Sequence, residues 1–221
     1  MPPAAPPRVF LLSPAHSGGK RAQLLLSERA RFPLAQRLRA ANGVALGEAF
    51  SFLSGLYFRG KLAYAQEFTR PPAGETGVQV ITPDRGLLAA DAPVGASDLR
   101  RFGTVDIRLD DPRYRRPLER DLARLATYPD LEVVLLGSIA TGKYVDVLLD
   151  VVGERLLFPT DFVGRGDMSR GALLLRAARE RTELAYEPAA TAVRRGPRPR
   201  KAGPTDDRDA DRPGPNPDAD S

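Results

Sequence analysis

The chain contains no cysteine and a single histidine, His16, among 221 residues. The first absence excludes a disulfide framework, a thiolate metal site and a thiol nucleophile, and it fits a reducing compartment. The second excludes a histidine-rich metal cluster and any two-histidine mechanism within one chain, so no metal ligands are assigned. Long apolar runs are missing as well. Val133–Leu136 and Val147–Leu149 are far too short to span a bilayer. Met1–Arg8 is proline-rich, and the apolar run behind it, Val9–Leu12, is too short for a signal peptide. Together these absences predict a soluble, cytoplasmic protein with no membrane partner.

Lysine is scarce. Only four of the 33 basic residues are lysine, and Lys20, Lys61 and Lys143 each directly follow a glycine. Where arginine is the default base, these Gly-Lys pairs point to positions that want a compact ammonium. Net charge is +5, from 33 basic and 28 acidic residues. The tail from Arg194 carries seven basic and six acidic side chains, which leaves 26 against 22, or +4, for the rest. That balance permits contact with nucleic acid without demanding it. Richness in Arg, Ala and Pro also follows simply from a GC-rich genome.

What is present is a series of short apolar runs separated by helical stretches. Val9–Leu12, Val78–Ile81, Val133–Leu136 and Arg155–Phe158 read as buried strands, with a further short strand at Val105–Ile107 and an edge strand at Leu184–Tyr186. Helices are predicted over 31–41, with Pro33 in the first turn, and over 47–68, interrupted at Ser54-Gly55. Pro117 opens another helix through Ala126, and the last two cover Tyr144–Val152 and Ser169–Arg179. Tyr57, Lys61, Tyr64 and Phe68 share one helical face. This alternation predicts an α/β fold, a three-layer sandwich with a mainly parallel central sheet. The domain spans residues 9–187, between a flexible N-terminus (1–8) and a disordered tail (188–221) whose Pro, Gly, Arg and Asp cannot support a core.

In a parallel sheet, ligands sit beyond the carboxyl ends of the strands. Four predicted strand ends carry turn chemistry: Ser13–Lys20, Thr82–Gly86, Gly137–Lys143 and Gly164–Gly171. Gly137, Gly142 and Lys143 keep the G-x-x-x-x-G-K spacing of a phosphate-binding loop, but Tyr144 stands where that loop needs a magnesium-holding hydroxyl. The expected ligand set is therefore Ser13, Gly18, Gly19, Lys20, Arg85, Gly137, Ser138, Thr141, Gly142, Lys143, Gly166, Ser169 and Arg170. Glycine admits an anion closely, and helix N-termini and basic side chains attract it. Gly171 is assigned the same close-approach role. Asp84, Asp167 and His16 are the candidates for acid–base catalysis, although turn and N-cap roles would also account for the two aspartates.

One segment resembles a known family. The run Leu56-Tyr57-Phe58-Arg59-Gly60-Lys61-Leu62-Ala63-Tyr64-Ala65, then Val80-Ile81-Thr82-Pro83 and Gly86-Leu87-Leu88, is similar to an uncharacterised bacterial and archaeal domain family. Its pattern is a Leu-Tyr segment ending in Tyr-Ala, a strand, and an Ala-Lys-x-Gly-Leu-Leu turn; Asp84-Arg85 here departs from the Ala-Lys pair. The likeness covers about residues 50–110. Val9–Ala15 also resembles the first strand of a stress-linked DNA-binding family, and the pattern with Gly166-Asp167-Met168-Ser169-Arg170-Gly171 resembles hypothetical proteins of GC-rich bacteria. The resemblance implies a nucleic-acid or nucleobase context.

The leading expectation is an enzyme acting on a nucleotide-like or phosphorylated ligand, or on a nucleic-acid base. No cofactor is named by the sequence. The rivals are a non-catalytic nucleic-acid-binding module using Arg113–Arg116 and the tail near Arg194–Lys201, and a scaffold protein.

Overall fold

The computed structural model describes residues 5–139 and 142–192. Its centre is a six-stranded sheet built on β1 (Arg8–Leu12), in which every residue is buried. A strand buried on both faces needs helices above and below it, which is the condition for parallel pairing. β3 (Val78–Thr82) pairs parallel to β1 on one side, and β6 (Glu132–Leu136) pairs parallel to it on the other. β7 (Leu156–Pro159) extends the parallel run beyond β6. Both edges are antiparallel: β4 (Gly86–Ala89) returns against β3, and β8 (Tyr186–Pro188) returns against β7. The order is β4-β3-β1-β6-β7-β8.

Helices complete three layers. Between β1 and β3 run α1 (Lys20–Leu26), α2 (Pro33–Arg39), α3 (Leu46–Ser54) and α4 (Leu56–Phe68). A two-stranded ribbon of β2 (Val44–Ala45) and β5 (Pro93–Val94) lies beside them. Gly55, at φ 65°, breaks α3 from α4 where the chain needs a left-handed turn. α5 (Ala96–Phe102) and α6 (Pro112–Ala126) lead to β6, α7 (Gly142–Val152) joins β6 to β7, and α8 (Asp167–Glu180) joins β7 to β8. α4 packs on α8 and against β1 and β3, while α6 packs on α7 and β4. No helix among the described residues is long and apolar enough to cross a membrane.

Several predicted details shift. Val105–Ile107 is not a strand: Val105 is buried and Asp106 exposed, but the segment has no neighbouring strand to bond. Alternation there reports burial of an extended strap and not a ladder. α6 begins at Pro112, where the Asp111 side chain accepts from Arg113 N at 2.9 Å, so Pro117 lies inside the helix and only removes one backbone bond. α1 starts at the last residue of the expected Ser13–Lys20 loop and covers residues to which no element was assigned. The packed region also reaches further than 9–187. Arg8 belongs to β1, Pro188 to β8, and Ala189 and Ala192 are buried. Expectations for residues 1–4 and 193–221 lie outside the described residues.

The topology locates the crevice. The chain leaves β1 for β3 on one side and later sets β6 on the other. The loops following β1 and β6 are thereby separated at a topological switch point, where open α/β sheets bind ligands.

Candidate functional site at the carboxyl edge

A cavity of about 310 Å³ opens at this edge. Its wall includes His16 and Ser17 from the loop after β1, Pro83 from the turn after β3, and Lys143 and Tyr144 from the start of α7. Asp106, on the strap between α5 and α6, completes the polar lining. Three of the four predicted loops therefore meet. The fourth, Gly164–Gly171, does not line this cavity. A larger, shallower depression of about 740 Å³ lies between α2 and the start of α5, beside the β2–β5 ribbon.

Within the first loop, His16 is exposed and its ring lies over Gly18 and Gly19, so close that a Cβ on Gly19 would stand 3.1 Å from the ring. Lys20 opens α1 and is exposed. At the β3–β4 turn, Asp84 is ion-paired with Arg101, while its second oxygen is buried without a hydrogen-bond partner. Arg85 pairs with Asp98, and its guanidinium carbon lies 5.7 Å from the Phe102 ring centroid. These pairs tie the turn to α5, and neither residue lines the cavity.

The phosphate-loop spacing folds differently from its sequence analogy. Gly142 opens α7, and a Cβ there would collide with the Asp146 carboxylate. A carboxylate of the same helix thus occupies the space beside that glycine. Lys143 is exposed, with its backbone carbonyl accepting from the Tyr114 hydroxyl at 2.9 Å. Ser138 is half-buried, and Thr141 lies outside the described residues.

The fourth loop faces a second centre, which sequence reasoning did not assign. Lys61 is only 1% exposed. Its Nζ donates to the Ser13 carbonyl at 2.6 Å and lies 3.0 Å from Ser13 Oγ. The rings of Tyr57 and Phe58 have their centroids 4.6 and 4.8 Å from the same nitrogen. Burial pushes the Lys61 ammonium down to about 7, with Asp167 opposing the shift and Arg170 adding to it. Gly137 packs onto Ser13, leaving 3.2 Å between a built Cβ and Ser13 Oγ. The Tyr57 hydroxyl is buried, and burial raises it to about 12 with Arg170 opposing the shift, so it stays protonated.

Gly166 caps α8, Asp167 occupies the first helical position, and Ser169 accepts from Arg165 at 3.2 Å. Arg170 is held by the Phe162 carbonyl through Nε at 3.1 Å and Nη2 at 2.9 Å. Gly171 serves packing: a Cβ there would meet Tyr57 Cα at 2.8 Å. The signals for the second centre were the Gly60-Lys61 pair and the aromatic face around it. Its partner Ser13 lies 48 residues away and becomes adjacent only in the fold.

The architecture is that of an α/β protein with a polar crevice at the switch point of a mainly parallel sheet. Compared with known proteins, the chain matches no family model, no curated protein and no solved structure.

Proposed function

We propose that the chain is an enzyme that binds a nucleotide-like or phosphorylated small molecule in the crevice at the carboxyl edge of its sheet. The observation that carries this reading is the convergence of the loop after β1, the turn after β3 and the first turn of α7 on one cavity with His16 and Lys143 in its wall. Its volume suits a compact group such as a phosphorylated sugar or a base. The Lys143 ammonium attracts phosphate as a point charge. His16 places an imidazole in the cavity wall as the candidate acid–base group. Asp106 accepts hydrogen bonds from ligand hydroxyl or amino groups.

Because Asp146 crowds Gly142, phosphate is held here by the Lys143 side chain and not in a glycine-lined nest. Tyr144 lines the cavity where a magnesium-dependent hydrolase would carry its hydroxyl. Both points favour ligand chemistry other than magnesium-assisted nucleotide hydrolysis. The rival nucleic-acid-binding surface has less free charge than its sequence promised: Arg113 pairs with Asp111, and Arg115 with Glu119 and Asp150.

Calorimetric titration with inorganic phosphate and a panel of nucleoside monophosphates tests the reading. Lys143→Ala is expected to weaken binding about tenfold, the loss of roughly 1.4 kcal/mol from one charge-assisted contact, with the melting temperature unchanged. Equal affinity in the variant, or no binding of any phosphorylated compound to the natural protein, counts against it.

A further inference from the structure

We propose that Ser13 is a nucleophile and Lys61 its general base, which makes the switch point a site of covalent acyl transfer on an ester. The inference deepens the reading above, on which it rests for the rest of the substrate. Three observations carry it. Ser13 Oγ and Lys61 Nζ are 3.0 Å apart, within the reach that base and nucleophile require. The amine is oriented by a second bond, an N–H donated to the Ser13 carbonyl at 2.6 Å, which holds Nζ beside Oγ. The serine is 7% exposed and directly precedes Pro14, Ala15 and His16, all of which line the cavity, so the proposal seats the ester in that cavity.

The surroundings fit a lysine that exchanges its proton. Neutral Lys61 donates one hydrogen to the Ser13 carbonyl and accepts the Oγ hydrogen. Once protonated, it faces the Tyr57 and Phe58 rings and the field of Asp167, all of which favour a cation. Arg170, on the same helix as Asp167, opposes that charge and limits it.

The step balances. The Ser13 Oγ–H bond breaks, its proton passes to the lone pair of Lys61, and Oγ bonds to the ester carbon. The ester C–O bond then breaks, and the leaving alkoxide takes the proton from Lys61. Water, deprotonated by the same amine, hydrolyses the acyl-serine and restores both groups.

The test uses p-nitrophenyl acetate, an electrophile small enough for a residue that is 7% exposed. The full chain is treated across about pH 6 to 9, and acetylation is located by peptide mass spectrometry. Acetyl-Ser13 is expected, forming faster as pH rises through about 7. Ser13→Ala should abolish it, and Lys61→Met should slow it about a hundredfold in protein shown to be folded by circular dichroism. Absence of both acetyl-Ser13 and Ser13-dependent p-nitrophenolate release in the natural protein, a rate without an inflection near neutrality, or acetyl on Lys61 itself would overturn the proposal. The pH profile of the natural protein decides the matter even where Lys61→Met does not fold. The acetylation assay contains no phosphorylated ligand, so its failure is read separately from failure of the calorimetric titration that tests the phosphate reading.

Discussion

At the scale of single residues, Lys61 makes the sharpest demand on the fold. Burial dominates its environment and lowers its proton affinity from the ordinary 10.5 to about 7. Below about 7 both folded and unfolded chains carry the proton, and the residue adds no pH slope. Above it the unfolded chain binds more protons, so folding stability rises with pH until the unfolded lysine titrates. One proton of difference corresponds to ~1.4 kcal/mol per pH unit. Urea unfolding of the natural protein and of Lys61→Met, compared at about pH 7 and pH 9, should show the natural protein gaining roughly 2 kcal/mol on the variant. A constant difference would mean that Lys61 remains charged in the folded state. The hint was present in the sequence, since lysine is rare and this one follows a glycine, but its burial depends on Ser13 and Gly137, which adjoin it only after β1 and β6 pair.

At the scale of elements, glycine has two different jobs that look alike in a sequence. Gly171 and Gly60 let α4 and α8 approach until a Cβ on Gly60 would lie 2.6 Å from the Gly171 carbonyl. Neither backbone can yield cheaply, so Gly171→Ala should cost about 1–3 kcal/mol by overpacking, measured by urea unfolding. Gly166→Ala, with nothing within 4 Å of the new carbon, is the control and should change stability by well under about 1 kcal/mol. Equal effects would argue against close helix packing as the reason for Gly171. The buried strands were legible because continuous apolar runs need few assumptions. The Val105–Ile107 strap was not, because alternation records which side faces the core and says nothing of a pairing partner. For the same reason the G-x-x-x-x-G-K spacing revealed a strand–turn–helix junction but not the Asp146 carboxylate that crowds it, which comes from one helical turn further on.

At the scale of the molecule, the two ends of the sheet are put to different uses. The carboxyl ends carry the cavity and the Ser13–Lys61 pair, while the amino ends are tied together by charge. Arg8, whose side chain is 9% exposed, donates to Glu132 on β6 through Nε at 2.7 Å and pairs with Glu183 just before β8. Its guanidinium lies 4.7 Å from the Tyr186 ring centroid, and Tyr186 meets the Tyr64 hydroxyl at 2.5 Å. One side chain thereby links the first strand, a central strand and the last strand. By sequence alone Arg8 falls to a flexible, proline-rich terminus; two carboxylates distant in the chain reverse that expectation. Arg8→Met keeps much of the apolar stem and removes the charge, which leaves two partly buried carboxylates without their partner. The expected cost is about 1–3 kcal/mol, below that of breaking a fully buried pair because both carboxylates retain some water. Amide hydrogen exchange should locate the loss, with faster exchange at Tyr186 and Glu187 and little change at Ile81 and Thr82 on the far side of β1. Uniform acceleration across the sheet would show that Arg8 supports the fold globally instead of fastening its last strand.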